Sequence, residues 1–213
     1  MRVSLLRRML VTMPLASLNT LGTLPAHALL GEVTGVGFTQ ADDKSWDFTL
    51  PSPAWKLSGL APPRAEHPAR LFHVTGAYSG SGGESASFEL VVEPSGAKSN
   101  TELGQVRAVG EKLLASQAAQ SELKSADIVP GSVKGSKYYS FVYATPTGFS
   151  TSVRLSAKQG RTYYLAVSLP AKPSAGLEAE AKLLLDSFKA FPVNIICITQ
   201  SNSGTSPVPG SCY

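Results

Sequence analysis

The chain has 213 residues, 43% of them hydrophobic and 16% charged, the make-up of a globular core, which excludes disorder of the chain as a whole. That length gives room for one domain of about 150 residues plus extensions. The formal charge of +4 comes mostly from Arg2, Arg7 and Arg8; from Leu29 onward 16 Lys+Arg face 15 Asp+Glu, a net of +1. A basic nucleic-acid-binding face is therefore not expected, although the isoelectric point is about 9.1.

Residues 1–28 read as a cleavable leader. No Asp or Glu precedes Glu32. A basic start with paired Arg7 and Arg8 leads into a moderately apolar run, then to Ala26 and Ala28 at small-x-small spacing. The twin arginine followed by Met9 and Leu10 resembles the signal for export of folded proteins across energy-coupled membranes. Pro14, Asn19, Gly22 and Pro25 interrupt the run too often for a stable membrane span. A short segment, 29–35, joins this leader to the body, 36–191.

The body opens with a strand over 45–50, with Trp46, Phe48 and Leu50 on one face. Pro51 and Pro53 cannot continue a ladder, so the strand ends there, ahead of Trp55. Residues 59–70 hold Pro62, Pro63 and Pro68 and read as a loop. Strands are expected over 70–78 and 87–93, separated by a Ser/Gly turn at 79–83. Val106, Val109, Leu113 and Leu114 mark a helix over 103–123, with Thr101 as its cap and Arg107 and Glu111 paired on the wet side. Residues 124–136 read as a polar connection.

Three aromatic-rich strands follow. The first, 137–143, sets Tyr139, Phe141 and Tyr143 against Tyr138, Ser140 and Val142; in the second, 150–156, Val153 and Leu155 are placed on opposite sides. The third, 161–169, alternates Tyr163, Leu165, Val167 and Leu169. Period-two alternation punctuated by Gly and Pro is the pattern of an antiparallel meander. After Pro173 the period changes: Leu177, Ala181, Leu184, Leu185 and Phe188 form one stripe of a helix, which leaves Lys182 and Lys189 off it. The fold class is α+β, an antiparallel sheet covered by helices.

Catalytic chemistry is hard to assemble from these residues. His67 and His73 adjoin no nucleophile elbow, the serines sit in turns, and residues 80–83 lack the lysine and helix of a phosphate loop. Glu66, His67 and His73 with Asp42, Asp43 or Asp47 could form a surface metal site, but a hard cation wants several converging oxygens and no dedicated loop is present. The aromatic stripe of Tyr139, Phe141, Tyr143 and Tyr163 reads as core, with some outer tyrosines expected to face a partner. Cys197 and Cys212 lie in the tail, 192–213; a disulfide between them is open and would contribute about 3 kcal/mol in the chain-entropy picture.

Several of these features, taken together and in order, resemble the PsbP family of lumenal extrinsic proteins of photosystem II and its PsbP-like relatives. They are Trp46, Phe48 and Pro51 followed by Trp55, the strand ending at Glu93-Pro94, and the approach to the helix through Gly104. Gly135 with Tyr138 and Tyr139, Gly160 with Tyr163, and Ser187 with Phe188 complete the set. The resemblance covers roughly 36–191. It implies an α/β/α sandwich, no catalysis, delivery to the chloroplast thylakoid lumen, and association with the lumenal face of a photosynthetic complex, most simply photosystem II at its oxygen-evolving complex. It also makes calcium a candidate ligand by association. Photosystem I, the chloroplast NAD(P)H dehydrogenase-like complex, or a role as an exported bacterial binding module are the alternatives. The chain departs from the family's best-known member ahead of the last helix, where residues 170–174 replace an aromatic- and basic-rich stretch. It departs again ahead of the fold, where no Lys or Arg falls between Glu32 and Lys44.

The leader makes a direct prediction. Sequencing the N-terminus of the mature protein should find Leu29, because Ala26 and Ala28 are the small residues that signal peptidases require; a mature form retaining Arg7 and Arg8 would refute the targeting argument.

Overall fold

In a computed structural model of the chain, the described residues are 37–41, 43–60, 71–80, 83–115 and 121–192. The leader, the segment 29–35, Asp42, Glu66, His67, and Cys197 and Cys212 in the tail lie outside them. Ten strands and three helices run in the order β1 (Phe38–Gln40), β2 (Trp46–Thr49), β3 (Trp55–Leu60), β4 (Phe72–Ser79), β5 (Ser85–Pro94), α1 (Asn100–Leu103), α2 (Val106–Ala115), β6 (Glu122–Pro130), β7 (Lys137–Ala144), β8 (Ser150–Lys158), β9 (Arg161–Leu169), α3 (Ala175–Ser187) and β10 (Lys189–Ala190). A seven-stranded sheet has the order β3-β4-β5-β9-β8-β7-β6, and a small three-stranded sheet the order β1-β2-β10. All pairings are antiparallel.

The large sheet is apolar on both faces. On one side Val74, Phe88, Leu90, Val92, Tyr163, Leu165 and Val167 meet Leu177, Ala181, Leu184 and Leu185 of α3 and Trp46 and Phe48 of the small sheet. On the other, Tyr139, Phe141, Tyr143, Val153, Leu155, Tyr164 and Ala166 meet Leu103, Val106, Val109, Leu113 and Leu114 of α1 and α2. The chain is thus an α+β sandwich with helices on both sides of one antiparallel sheet. Alternation along β9 explains the division, since side chains two apart share a face and neighbours oppose.

Several expectations change. Trp55 does not follow a strand's end into a loop; it begins a new strand, β3, on the edge of the large sheet. The helix expected over 103–123 is two helices and part of a strand. Gly104, at φ 106° and ψ −164°, breaks it early, and Leu123 belongs to β6. The cap expected at Thr101 falls inside α1, which Ser99 precedes. The connection read over 124–136 is mostly β6, disguised because its register shifts between Leu123 and Ser125 and an edge strand buries few of its residues. Val153 and Leu155 share a face, as residues two apart in a strand must. Tyr163 lies on the face opposite Tyr139, Phe141 and Tyr143, so these four form no single stripe.

The final helix keeps its stripe. Ser174 caps it, its Oγ accepting from the Leu177 N–H at 3.2 Å. Leu177, Ala181, Leu184 and Leu185 are buried, and Phe188, already extended at φ −64° and ψ 130°, stays in the core against Tyr138 with ring centroids 5.7 Å apart. Phe188→Ala should therefore cost roughly 3–5 kcal/mol by opening a cavity between α3 and β7. Lys182, exposed and paired only with Asp186 on its own helix, should tolerate Ala within about 0.5 kcal/mol. Urea denaturation of the two variants checks the contrast; equal losses would deny Phe188 its packing role.

Candidate functional site

The residues singled out in the sequence turn out to be joints between layers. Trp46 and Phe48 are fully buried on β2. Pro51 lies just past that strand, and the turn it opens carries Ser52 and Trp55 to α3. Both donate to Glu180 Oε2, the Ser52 hydroxyl at 2.7 Å and the Trp55 indole N–H at 2.8 Å. Ser187 holds the other end of the helix: its Oγ accepts from the Thr49 N–H at 2.9 Å and donates to the Leu184 carbonyl at 2.8 Å.

The other face is fastened around Asn100 and Tyr139. The Tyr139 hydroxyl, donating, lies 2.9 Å from the Asn100 carbonyl and 2.7 Å from that of Gly104. Asn100 in turn donates from Nδ2 to the Lys137 carbonyl at 2.8 Å and accepts at Oδ1 from Ala157 at 2.6 Å, which stitches α1 to β7 and β8. Gly160 is needed for its backbone. With Gln159 at φ 45° and Gly160 at φ 81°, the β8–β9 connection is a two-residue hairpin turn that requires both angles positive. Its N–H groups dock on the segment before α1, Gln159 onto the Lys98 carbonyl at 3.1 Å and Gly160 onto that of Ala97 at 3.0 Å. Gly135, at φ 81°, does the same kind of work in the β6–β7 turn.

The third joint closes the small sheet. Tyr138 Oη accepts from the Ala190 N–H at 2.9 Å, and the Phe191 N–H reaches the Ser45 carbonyl at 2.8 Å. Asp47 faces Lys189 directly across β2 and β10, with Oδ1 and Nζ 3.2 Å apart. Burial pushes the Asp47 carboxyl above its usual range, and Lys189 opposes that by hydrogen bond and charge. Beside it the hydroxyls of Tyr138 and Tyr163 are also raised, in each case chiefly by burial. Lys189 is therefore no neutral surface residue, as its place off the helical stripe had suggested.

The candidate metal ligands among the described residues are drawn into separate pairs. Asp43 Oδ2 accepts from Arg161 at 2.7 Å, Asp47 faces Lys189, and His73 Nε2 lies 2.7 Å from Glu89 Oε1. Among the described residues no cluster of three or more His, Cys, Asp or Glu could hold a metal ion. Of the tyrosines, Tyr138, Tyr139, Tyr143, Tyr163 and Tyr164 are buried, and Tyr78 is partly exposed. Among the described residues the large apolar side chains that are exposed are Leu71, Ile128, Val133, Phe149 and Leu183. Ile128 alone of these lies in a strand, where an exposed aliphatic looks like a core residue until its face is known.

No family model and no curated protein matches the chain. Among solved structures it is similar to the solution structure of cyanobacterial PsbP (CyanoP) from Synechocystis sp. PCC 6803, with a TM-score of 0.53 and 18% sequence identity over 84% of this chain and 100% of that one. The chain has a PsbP-like fold. At that identity the likeness speaks for architecture alone. In this chain Trp55, Tyr138, Tyr139 and Ser187 make contacts between layers. No helix among the described residues is long and apolar enough to cross a membrane.

The Asp47–Lys189 pair supplies a test. Lys189→Ala leaves a buried carboxylate without its cation and should cost about 1–3 kcal/mol at pH 7. Because burial raises the folded-state pKa of Asp47, its charged form opposes folding, and protonation relieves that cost as pH falls. The deficit of Lys189→Ala should thus shrink toward about pH 4, and adding Asp47→Asn should recover most of it. Thermal denaturation of the single and double variants across pH checks the sign; a deficit that grew with acid would reverse the assignment.

Proposed function

We propose that this is a non-catalytic protein of the thylakoid lumen that binds, or helps to assemble, a photosynthetic membrane complex, most simply photosystem II in the manner of an extrinsic subunit. The likeness to cyanobacterial PsbP over that protein's whole length carries the reading. The leader, with Arg7, Arg8, Ala26 and Ala28, supports it independently. The internal chemistry is consistent: Trp55 and Tyr138 use their polar atoms to tie layers together, and His73 is held against Glu89. Such a protein acts through its surface, by presenting a rigid face to a complex, and its affinity is set by the complementarity of that face.

The test is a native gel of solubilised thylakoids carrying a tagged copy of the protein. It should co-migrate with photosystem II or one of its assembly intermediates. Co-migration with photosystem I or the NAD(P)H dehydrogenase-like complex would move the protein to that assembly instead, and migration as a free monomer under gentle solubilisation would overturn the reading.

A further inference from the structure

The lysines are unevenly placed. Lys124, Lys182 and Lys189 pair with carboxylates. Lys44, Lys98, Lys134, Lys137 and Lys158 form no ion pair with a described residue, and all five gather at the end of the sandwich where β7 and β9 begin and β6 and β8 finish. Hydrogen bonds fix their backbones there. Gln159 binds the Lys98 carbonyl, Ser99 bridges to Lys158, and Asn100 bonds the Lys137 carbonyl while holding β8. Lys134 sits in the β6–β7 turn, which closes through the Gly131 N–H on the Ser136 carbonyl at 2.9 Å and the Ser136 hydroxyl on that of Val133 at 2.6 Å. Lys44 occupies the β1–β2 turn, brought alongside by the Asp43–Arg161 pair.

The local acids do not cancel this charge. Asp43 is already spent on Arg161, and Glu93 is buried. Glu102 and Asp127 are the exposed acids nearby, two carboxylates against five lysines, and Glu102 accepts the Lys98 N–H at 2.8 Å. With strands about 4.8 Å apart, the edge from β6 to β9 is only about 15 Å wide. Four of the lysines are exposed and Lys158 is half-buried. Next to Lys134 and Lys137 are two exposed aliphatic side chains, Val133 at 36% and Ile128 at 56%. This apolar pair at the β6 flank of the charged edge gives a partner apolar as well as charged contact, the two kinds that protein interfaces combine.

We propose that this lysine-edged end of the sheet docks on an acidic face of a partner protein, with Ile128 and Val133 adding apolar contact at its β6 flank. The proposal rests on the docking function above and names the face that performs it. A membrane surface would call for interfacial aromatics, yet the exposed Phe149 lies at the opposite end of the sheet, in the β7–β8 turn. Nucleic acid would call for arginine forks and stacking rings, and the cations here are lysines apart from Arg161, which Asp43 occupies. Hydrated lysine charges on a rim act over a Debye length of about 8–10 Å and favour rapid, salt-sensitive association.

Lysine acetylation footprinting of the full chain, read by mass spectrometry, tests it with three probes: solubilised thylakoid complexes, poly-L-glutamate, and phosphatidylglycerol vesicles. Lys98, Lys134, Lys137 and Lys158 should be protected by the complexes and by polyglutamate, while Lys56, Lys112 and Lys172 stay reactive. Replacing those four with Gln should weaken capture by the complexes roughly tenfold at low salt and flatten its salt dependence. The same exchange at Lys56, Lys112 and Lys172 should do neither, and thermal melts confirm that both variants fold. Complexes that bind the chain without protecting the four lysines would overturn the docking face and leave the docking function standing. Protection by polyglutamate alone would keep the face for an acidic partner and remove the photosynthetic one. Stronger protection by vesicles than by either acidic probe would make the face a membrane contact and overturn the proposal, as would even reactivity of all seven lysines with every probe.

Discussion

The two-sided burial of β9 governs the rest of the structure. Tyr163, Leu165 and Val167 face α3 and the small sheet, whereas Tyr164 and Ala166 face the layer of α1 and α2. A strand with two apolar faces cannot lie at a sheet's edge or against water, so β9 must be central, with helices on both sides. Its neighbours follow. β8 reaches it by a two-residue hairpin, and β5 reaches it only through a long crossover that carries α1, α2 and β6 to β8. The crossover thereby brings α1 and α2 over one face, and the chain returns to cover the other with α3.

That arrangement explains why polar side chains concentrate at the joints. Layers held by apolar contact alone can slide, since burial is nondirectional. Glu180 with Trp55 and Ser52, Asn100 with β7 and β8, and Tyr138 with β10 each fix one layer's position on the sheet by directional bonds. The same joints place the surface. The Asn100 and Gln159 bonds that register α1 on the sheet also hold Lys98, Lys137 and Lys158 along one edge.

How much of this was legible in the sequence depended on how many faces an element buries. The strand over 161–169 and the stripe from Leu177 to Phe188 were plain, because each alternates or repeats without a defect. β3 and β6 were not. Both are edge strands with a register shift, β3 between Leu57 and Gly59 and β6 between Leu123 and Ser125, and a shift destroys the period that reveals a strand. The false continuity of one helix to Leu123 arose because a run of Ala, Leu and Gln has high helix propensity whatever follows it. The work of the motif residues was not legible, since a Trp or Tyr in sequence shows its bulk but not its bond. Glu180, which receives Trp55 and Ser52, carried no signal, being one acid among several on the outer turns of α3. The lysine edge was equally hidden: net charge near zero says nothing about where the charges lie.

The two perturbed carboxylates respond to acid in opposite senses, and their positions give that opposition a structural meaning. Burial also acts to raise Asp186, but the hydrogen bonds and charges of Lys182 and Arg154 outweigh it and hold its carboxyl below the usual range. A lowered pKa contributes stability that is present above the unfolded value and is lost as pH falls through the folded one, so this group weakens the end of α3 only in strong acid. Asp47 runs the other way, since its raised pKa means that mild acid removes a buried charge from beneath β10. Between neutrality and the carboxylate range, the small sheet therefore gains while α3 has yet to lose.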